Sequence, residues 1–207
     1  MDLKEYFAPQ VIKRFKSKFN SKVELIRFAG NLRLDMGKLT QSGQIIQDIW
    51  NKALKKFLTK DEKIKTVLIL GFGAGSVVKV INSYYPNTQI TGVEIDPVVI
   101  KIAKEYFKIG QIPNLKIINQ DAVKFISKNK KHFDLILVDC YQGFKIPKKL
   151  ENINLLKKLK KQTKHLFINR LYWGKHREKS NQFVNSLEKE FTIKICRTLS
   201  NLIISLA

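Results

Sequence analysis

The chain has little of what makes a protein covalently rigid or membrane-bound. Of its 207 residues, two are cysteine and five are proline. Cys140 and Cys196 are too few for a disulfide framework and suit buried thiols in a reducing cytoplasm. No run reaches the roughly 18 consecutive apolar residues of a membrane span. The opening Met1-Asp2-Leu3-Lys4-Glu5-Tyr6 has no apolar signal-peptide core. A cytoplasmic location is the expectation. The three histidines, His132, His165 and His176, are scattered without metal-ligand spacing, so no metal is expected. Acidic residues are scarce too: 17 Asp and Glu stand against 39 Lys and Arg, a net charge of +22.

What is plentiful is apolar residue and lysine. A hydrophobic share of 44% supports a real core, and the length suits one main domain with a small appendage. The charge attracts polyanions in principle. Lys far outnumbers Arg, however, and Ile and Asn are abundant, which is also the trace of a genome-wide codon bias. A surface shaped for phosphate would use more Arg, whose planar fork binds bidentately. A nucleic-acid partner is therefore an alternative and not the first expectation.

Along the chain, residues 1–20 read as a short basic helix or arm. Phe7, Val11, Ile12, Phe15 and Phe19 form one apolar stripe at helical spacing. Val23, Leu25, Leu32 and Leu34 alternate about Ala29-Gly30-Asn31, the mark of a hairpin. A helix is predicted from Gln44 to Leu58, with Ile45, Ile49, Trp50, Ala53 and Phe57 inward. The domain boundary is placed between residues 43 and 44.

From Lys65 onward strands and helices alternate. The predicted strands are Thr66–Leu70, Gln89–Glu94, Leu115–Asn119, Asp134–Asp139, His165–Arg170, Phe191–Arg197 and Asn201–Leu206. The helices between them are Ser76–Tyr84, Pro97–Phe107, Ala122–Lys128, Leu150–Lys161 and Glu178–Glu190. The result is an α/β chain with a doubly wound, mostly parallel seven-stranded sheet and a closing antiparallel pair. That is the Rossmann-like layout of class I S-adenosylmethionine-dependent methyltransferases, here with a small N-terminal β-hairpin element.

Ligands of such sheets bind at the carboxyl ends of the strands. The first strand ends in Gly71, Gly73 and Gly75, whose spacing lacks the dinucleotide fingerprint Gly-x-Gly-x-x-Gly. The second ends in Glu94 and Asp96, the third in Asp121 and Ala122, the fourth in Asp139. Glycines let a backbone approach a ligand, and Glu94 can accept the hydrogen bonds of a ribose diol. Asp96, just before Pro97, and Asp121, just before Ala122, equally suit helix N-caps. Asp139 closes an apolar strand, where a carboxylate needs partners or a task.

Leu34-Asp35-Met36-Gly37-Lys38-Leu39-Thr40-Gln41-Ser42, leading to Gln47-Asp48-Ile49-Trp50, resembles the entry segment of spermidine synthases. So do Val93-Glu94-Ile95-Asp96-Pro97, Gln120-Asp121-Ala122 and Phe133-Asp134-Leu135-Ile136-Leu137-Val138-Asp139. The likeness spans about residues 23–170. It implies that Gln41 and Gln47 lie near the nucleoside, that Glu94 holds the ribose, and that Asp121 reads adenine. It implies that Asp139 is the general base toward the attacking amine, and that the chain forms a homodimer.

The departures also count. The family's Gly-Gly-Gly-Asp-Gly-Gly loop is here Gly71-Phe72-Gly73-Ala74-Gly75, so Ala74 replaces the Asp that binds the donor's amine. The Asp-Ser-x-Asp-Pro stretch is Asp139-Cys140-Tyr141-Gln142-Gly143, so Gln142 replaces its second acid. With Gln47, Tyr141 and Gln142 are the candidate substrate contacts, and Trp173 can wall an acceptor pocket.

The expected activity is methyl or aminopropyl transfer to a small acceptor. The donor would be S-adenosylmethionine or its decarboxylated form, with methylthioadenosine as a further adenosyl ligand. A nucleic-acid methyltransferase and a non-catalytic nucleoside-binding relic are the alternatives. Against the first, no Asn/Asp-Pro-Pro-Tyr motif follows the fourth strand.

Overall fold

The computed structural model describes residues 8–37, 39–59 and 61–207. An antiparallel sheet runs β1 (Gln10–Phe15), β2 (Val23–Phe28), β3 (Asn31–Met36) and β4 (Leu39–Ser42) in that order. The hairpin expected about Ala29-Gly30 is its β2–β3 unit, with Phe28 opposite Asn31. The element is thus larger than a hairpin. Its first strand corrects the helical reading of the arm, because Gln10 to Phe15 pairs with Arg27 to Val23. Val11, Ile12 and Phe15 satisfy a helical stripe, but β-branched residues beside an open strand edge gain more from pairing. Phe15 packs edge-on against Tyr106, with ring centroids 6.2 Å apart. Phe7 lies outside the described residues.

Helix α1 (Gln44–Phe57) follows. Its buried face is Ile46, Ile49, Trp50, Ala53 and Leu54, the 3–4 spacing of one helical stripe. Ile49, Trp50 and Ala53 are buried as expected, and the difference lies at the two ends of the face. Ile45 points to solvent at 45% exposure, and Ile46 takes its place. Phe57, half-buried, meets Phe167 at 5.1 Å between centroids.

The large sheet is built from β5 (Thr66–Leu70), β6 (Gln89–Glu94), β7 (Leu115–Asn119), β8 (Phe133–Val138), β9 (Thr163–Leu171), β10 (Ile193–Arg197) and β11 (Asn201–Leu206). Its order is β10-β11-β9-β8-β5-β6-β7. The strands from β9 to β7 are parallel, and β11 runs against both β9 and β10. Helices α2 (Ser76–Tyr84), α3 (Pro97–Tyr106), α4 (Ala122–Lys128), α5 (Ile153–Lys161) and α6 (His176–Glu188) complete the winding. Two apolar clusters lie on the two faces of the sheet. One joins the N-terminal sheet and α1 to α2 and α3, the other gathers α4, α5 and α6. Burial on both faces is why β5 and β8 are nearly continuous apolar runs.

The other strand and helix ends agree with the sequence reading to within a few residues. The predicted helix Leu150–Lys161 divides into a 3₁₀ turn at Lys148–Glu151 and α5. Asn152 breaks it by capping α5, its Oδ1 accepting from Leu155 N at 3.1 Å. Among the described residues, no helix is long and apolar enough to cross a membrane. The strand order reverses between β5 and β8, and the site lies at that switch point.

Candidate active site

A cleft of about 820 Å³, open to solvent, lies at the carboxyl ends of β5, β6, β7 and β8. Its floor exists because of glycine. Gly71 has φ +85, and a Cβ there would stand 2.4 Å from the Asp139 carbonyl oxygen. Only without a side chain can β5 end this close to β8, where Asp139 N donates to Leu70 O at 2.7 Å. Gly92 makes room in the same way for the ring of Phe72, which is buried beneath the loop.

The loop is tied to the N-terminal sheet by two serines. Ala74 N donates to Ser42 Oγ and Gly43 N donates to Ser76 Oγ, each at 2.8 Å. Each hydroxyl satisfies a backbone donor of the opposite segment, so the β4–α1 junction and the glycine loop hold one another. Sequence reading gave neither serine a role, because each bonds a backbone N–H over 30 residues away.

Glu94 lines the cleft, with Gly73 N on Oε2 at 2.9 Å and Asp96 N on Oε1 at 3.0 Å. Burial pushes its carboxyl pKa up, and these backbone donors oppose the shift. Asp121 and Ala122 line the next strand end, and Asp121 Oδ1 also caps α4 by accepting from Lys124 N at 2.8 Å. Gln41 lines the cleft too, and its buried Nε2 has no partner among the described residues. Asn20, unanticipated from sequence, lies on the wall with an unpartnered Oδ1. An open donor and an open acceptor thus stand on the same wall as Glu94.

Asp139 lies deep on the opposite side, still open to the cleft. Trp50 Nε1 donates to its Oδ2 at 2.9 Å, and Asn169 Nδ2 to its Oδ1 at 2.7 Å. Asn169 is oriented in turn by Asn201 Nδ2, which donates to Asn169 Oδ1 at 2.8 Å. Burial raises the Asp139 pKa, and the two neutral donors only partly offset it. The carboxylate is therefore held still and kept basic. Neighbouring Cys140 has its thiol pKa pushed well up by burial, then by the nearby carboxylates, which makes it a poor nucleophile. Tyr141 lines the cleft and its hydroxyl donates to Asn169 O at 2.9 Å. Gln142, at the exposed mouth, pairs by backbone with Lys145.

Three positions depart from expectation, and a fourth, Asp96, takes the helix-capping role that its place before Pro97 also suited. Gly75 is not on the cleft wall. It caps α2 with φ +82, and a Cβ there would strike Ile109 at 2.7 Å, so its task is packing. Asp96 is fully buried behind the wall. It caps α3 through Val98 N at 2.9 Å and receives Asn20 Nδ2 at 2.9 Å and the Ser17 hydroxyl. Its carboxylate joins the N-terminal segment to the β6–α3 turn. Gln47 is half-buried off the wall, where Ile46 stands instead. Ala74 is completely buried in the apolar cluster that also holds Ile46 and Trp50. Where the resemblance led to an absent aspartate, the space is closed by core.

Three carboxylates, Glu94, Asp121 and Asp139, face the cleft, and among the described residues no Lys or Arg does. In a chain of net charge +22 this is a local inversion of sign. The described residues contain no group of three His, Cys, Asp or Glu able to hold a metal.

The Spermine/spermidine synthase domain model matches residues 52–202. The chain belongs to that family. A polyamine aminopropyltransferase of Sulfurisphaera tokodaii is 35% identical over 129 residues, 59% of this chain and 42% of that protein. The chain spans less than half the length of the first curated relatives it matches. A solved probable spermidine synthase from Corynebacterium glutamicum superposes with TM-score 0.76 at 16% identity, covering 96% of this chain and 80% of that one. Human methyltransferase-like protein 13, solved in complex with SAH, gives TM-score 0.60 at 18% identity over 78% of each chain. The fold is thus that of spermidine synthases and methyltransferases alike.

Proposed function

We propose that the chain is a transferase that binds an adenosyl sulfonium donor in the cleft and alkylates a small amine. The observation that carries this reading is the cleft's three carboxylates without a facing Lys or Arg. Such a site attracts a cationic nucleoside and an amine acceptor, and repels phosphate. Glu94 would accept the ribose hydroxyls and Asp121 the exocyclic amine of adenine. Gln41 and Asn20, each with an unpartnered polar atom on the wall, support a polar ligand there.

A bound sulfonium donor supplies an electrophilic carbon. Asp139 supplies the rest. Its carboxylate takes a proton from the acceptor ammonium, so that the freed nitrogen lone pair attacks that carbon. The carbon–sulfur bond breaks as the carbon–nitrogen bond forms, and its electron pair stays on sulfur. The raised pKa of Asp139 suits this work, since a carboxylate shifted upward takes a proton more readily than an ordinary one.

Between the two donors, the site favours S-adenosylmethionine and methyl transfer. Both donors bring an ammonium, but that of S-adenosylmethionine has its own carboxylate beside it, whereas the aminopropyl donor's has none and a diamine acceptor adds another. Each desolvated cation needs a partner. With Glu94 and Asp121 assigned to the nucleoside, Asp139 alone remains, and Ala74 and Gln142 add no charge. The free amide of Gln41 offers a neutral donor to the carboxylate of S-adenosylmethionine. The by-product tests the choice. Incubation with each donor and a panel of amines should release S-adenosylhomocysteine from S-adenosylmethionine. Release of methylthioadenosine from the decarboxylated donor would instead assign aminopropyl transfer.

A further inference from the structure

Trp173 does not wall the cleft. It is 40% exposed, in a cluster of three rings. Its centroid lies 4.9 Å from that of His176 and 5.8 Å from that of Phe144, and Phe144 stacks on His176 at 5.6 Å. Phe144 belongs to the segment between Gln142 and Pro147, both of which line the cleft mouth, so the cluster adjoins it. On the other side, Tyr172 carries two guanidinium groups, Arg177 at 5.8 Å and Arg197 at 5.3 Å from its ring. Arg197 also lines a second, shallow groove of about 990 Å³ between α1 and β10, with Lys52, Lys55 and Lys56. All four of these cations are exposed.

We propose that this groove and ring cluster form one binding track for single-stranded nucleic acid, running from α1 to the mouth of the cleft. Three features favour that ligand. The groove cations suit consecutive phosphates. The ring cluster at one end, with Trp173 exposed and Phe144 and His176 half-buried against it, suits an unstacked base, which an acidic peptide lacks. Arginines, scarce in this chain, recur here at Arg177 and Arg197 with their planar groups against an aromatic ring. Glu178, next to Arg177 in sequence and hydrogen-bonded by Gln182, brings one negative charge and leaves the excess positive. The inference goes beyond the transfer reaction and does not depend on it.

The test is fluorescence anisotropy of a labelled single-stranded RNA 20-mer with the whole chain, stripped of nucleic acid, over a salt series. The Lys52→Glu/Lys55→Glu pair should weaken binding by roughly ten-fold or more and flatten the salt dependence. Trp173→Ala should weaken it by roughly ten-fold with the salt slope kept, as loss of one stacked base does. Lys101→Glu/Lys104→Glu on α3 changes net charge equally and should shift affinity less than roughly two-fold, since a distant surface pair is outside the track. Unchanged melting temperature and methylthioadenosine binding would show that each variant is folded. Equal losses from the α3 pair would overturn the track in favour of bulk charge. Equal competition by poly-glutamate would overturn it in favour of an acidic protein partner. No binding near physiological salt would overturn it outright.

Discussion

Trp50 and Asp139 are 89 positions apart, and the indole of one holds the carboxylate of the other at 2.9 Å. The bond crosses from α1 to the end of β8. It couples the helix that follows the N-terminal sheet to the group assigned as base. With Asn169 on the second oxygen, the carboxylate has a single orientation toward the cleft.

Asp139→Asn should lower turnover by roughly 10²–10⁴-fold, the range for a lost general base. Binding of the adenosyl ligand should change only a few-fold. Stability should respond in the opposite direction. The folded pKa of Asp139 is raised, so its favourable contribution is present below the unfolded value of about 3.9 and is lost as pH rises through the folded value. Urea denaturation from about pH 4 to pH 8 should show the wild type losing ground to the variant as pH rises.

Trp50→Phe removes one of the two donors that lower the Asp139 pKa. The acid limb of the kcat/KM profile should therefore move to higher pH. A stability loss of about 1–3 kcal/mol is expected from the lost hydrogen bond and the smaller ring. An unshifted limb would separate Asp139 from the titration that governs the rate.

Gly71→Ala and Gly143→Ala form an internal comparison. Both glycines have positive φ, but a Cβ at Gly71 meets the Asp139 backbone, and one at Gly143 meets nothing within 4 Å. Gly143→Ala should cost about 1 kcal/mol from backbone strain alone. Gly71→Ala should cost clearly more, at or beyond the upper end of the roughly 1–3 kcal/mol of a strained functional position. It should also lower activity by moving Asp139. Thermal denaturation and turnover of the two variants decide this.

Glu94→Gln should weaken methylthioadenosine binding by roughly 10–100-fold, the value of one or two charge-assisted hydrogen bonds. An amide can accept from Gly73 N or Asp96 N through one oxygen only, and its NH₂ would confront the other donor. A variant binding as tightly as the wild type would take Glu94 out of the ligand site.

The large sheet was legible because its signals are local. Val67–Leu70 ends in glycines, Val93-Glu94 ends in an acid, and a helix cap such as Asp96 stands beside the helix it starts. The N-terminal strand was not, because Val11, Ile12 and Phe15 fit a helix or a strand edge equally, and the partner that decides is β2. The site was half legible. Glu94, Asp121 and Asp139 follow from strand ends. Asn20, Ser42, Trp50 and Asn169 reach the site only through contacts at least 30 residues distant, which no local spacing encodes. Asp96 and Gly75 show the converse: residues in a motif whose tasks are a cap and a close packing contact.

The most direct measurement is calorimetric titration of the protein, freed of nucleic acid, with S-adenosylmethionine, its decarboxylated form and methylthioadenosine. The acidic cleft predicts that S-adenosylmethionine binds more tightly than methylthioadenosine, which lacks the sulfonium charge; the lack of a spare carboxylate for a lone ammonium, with the Gln41 amide open to a carboxylate, predicts that it also binds more tightly than the decarboxylated donor. Tighter binding of the decarboxylated form would contradict methyl transfer. Failure of all three to bind would contradict the assignment of the cleft itself.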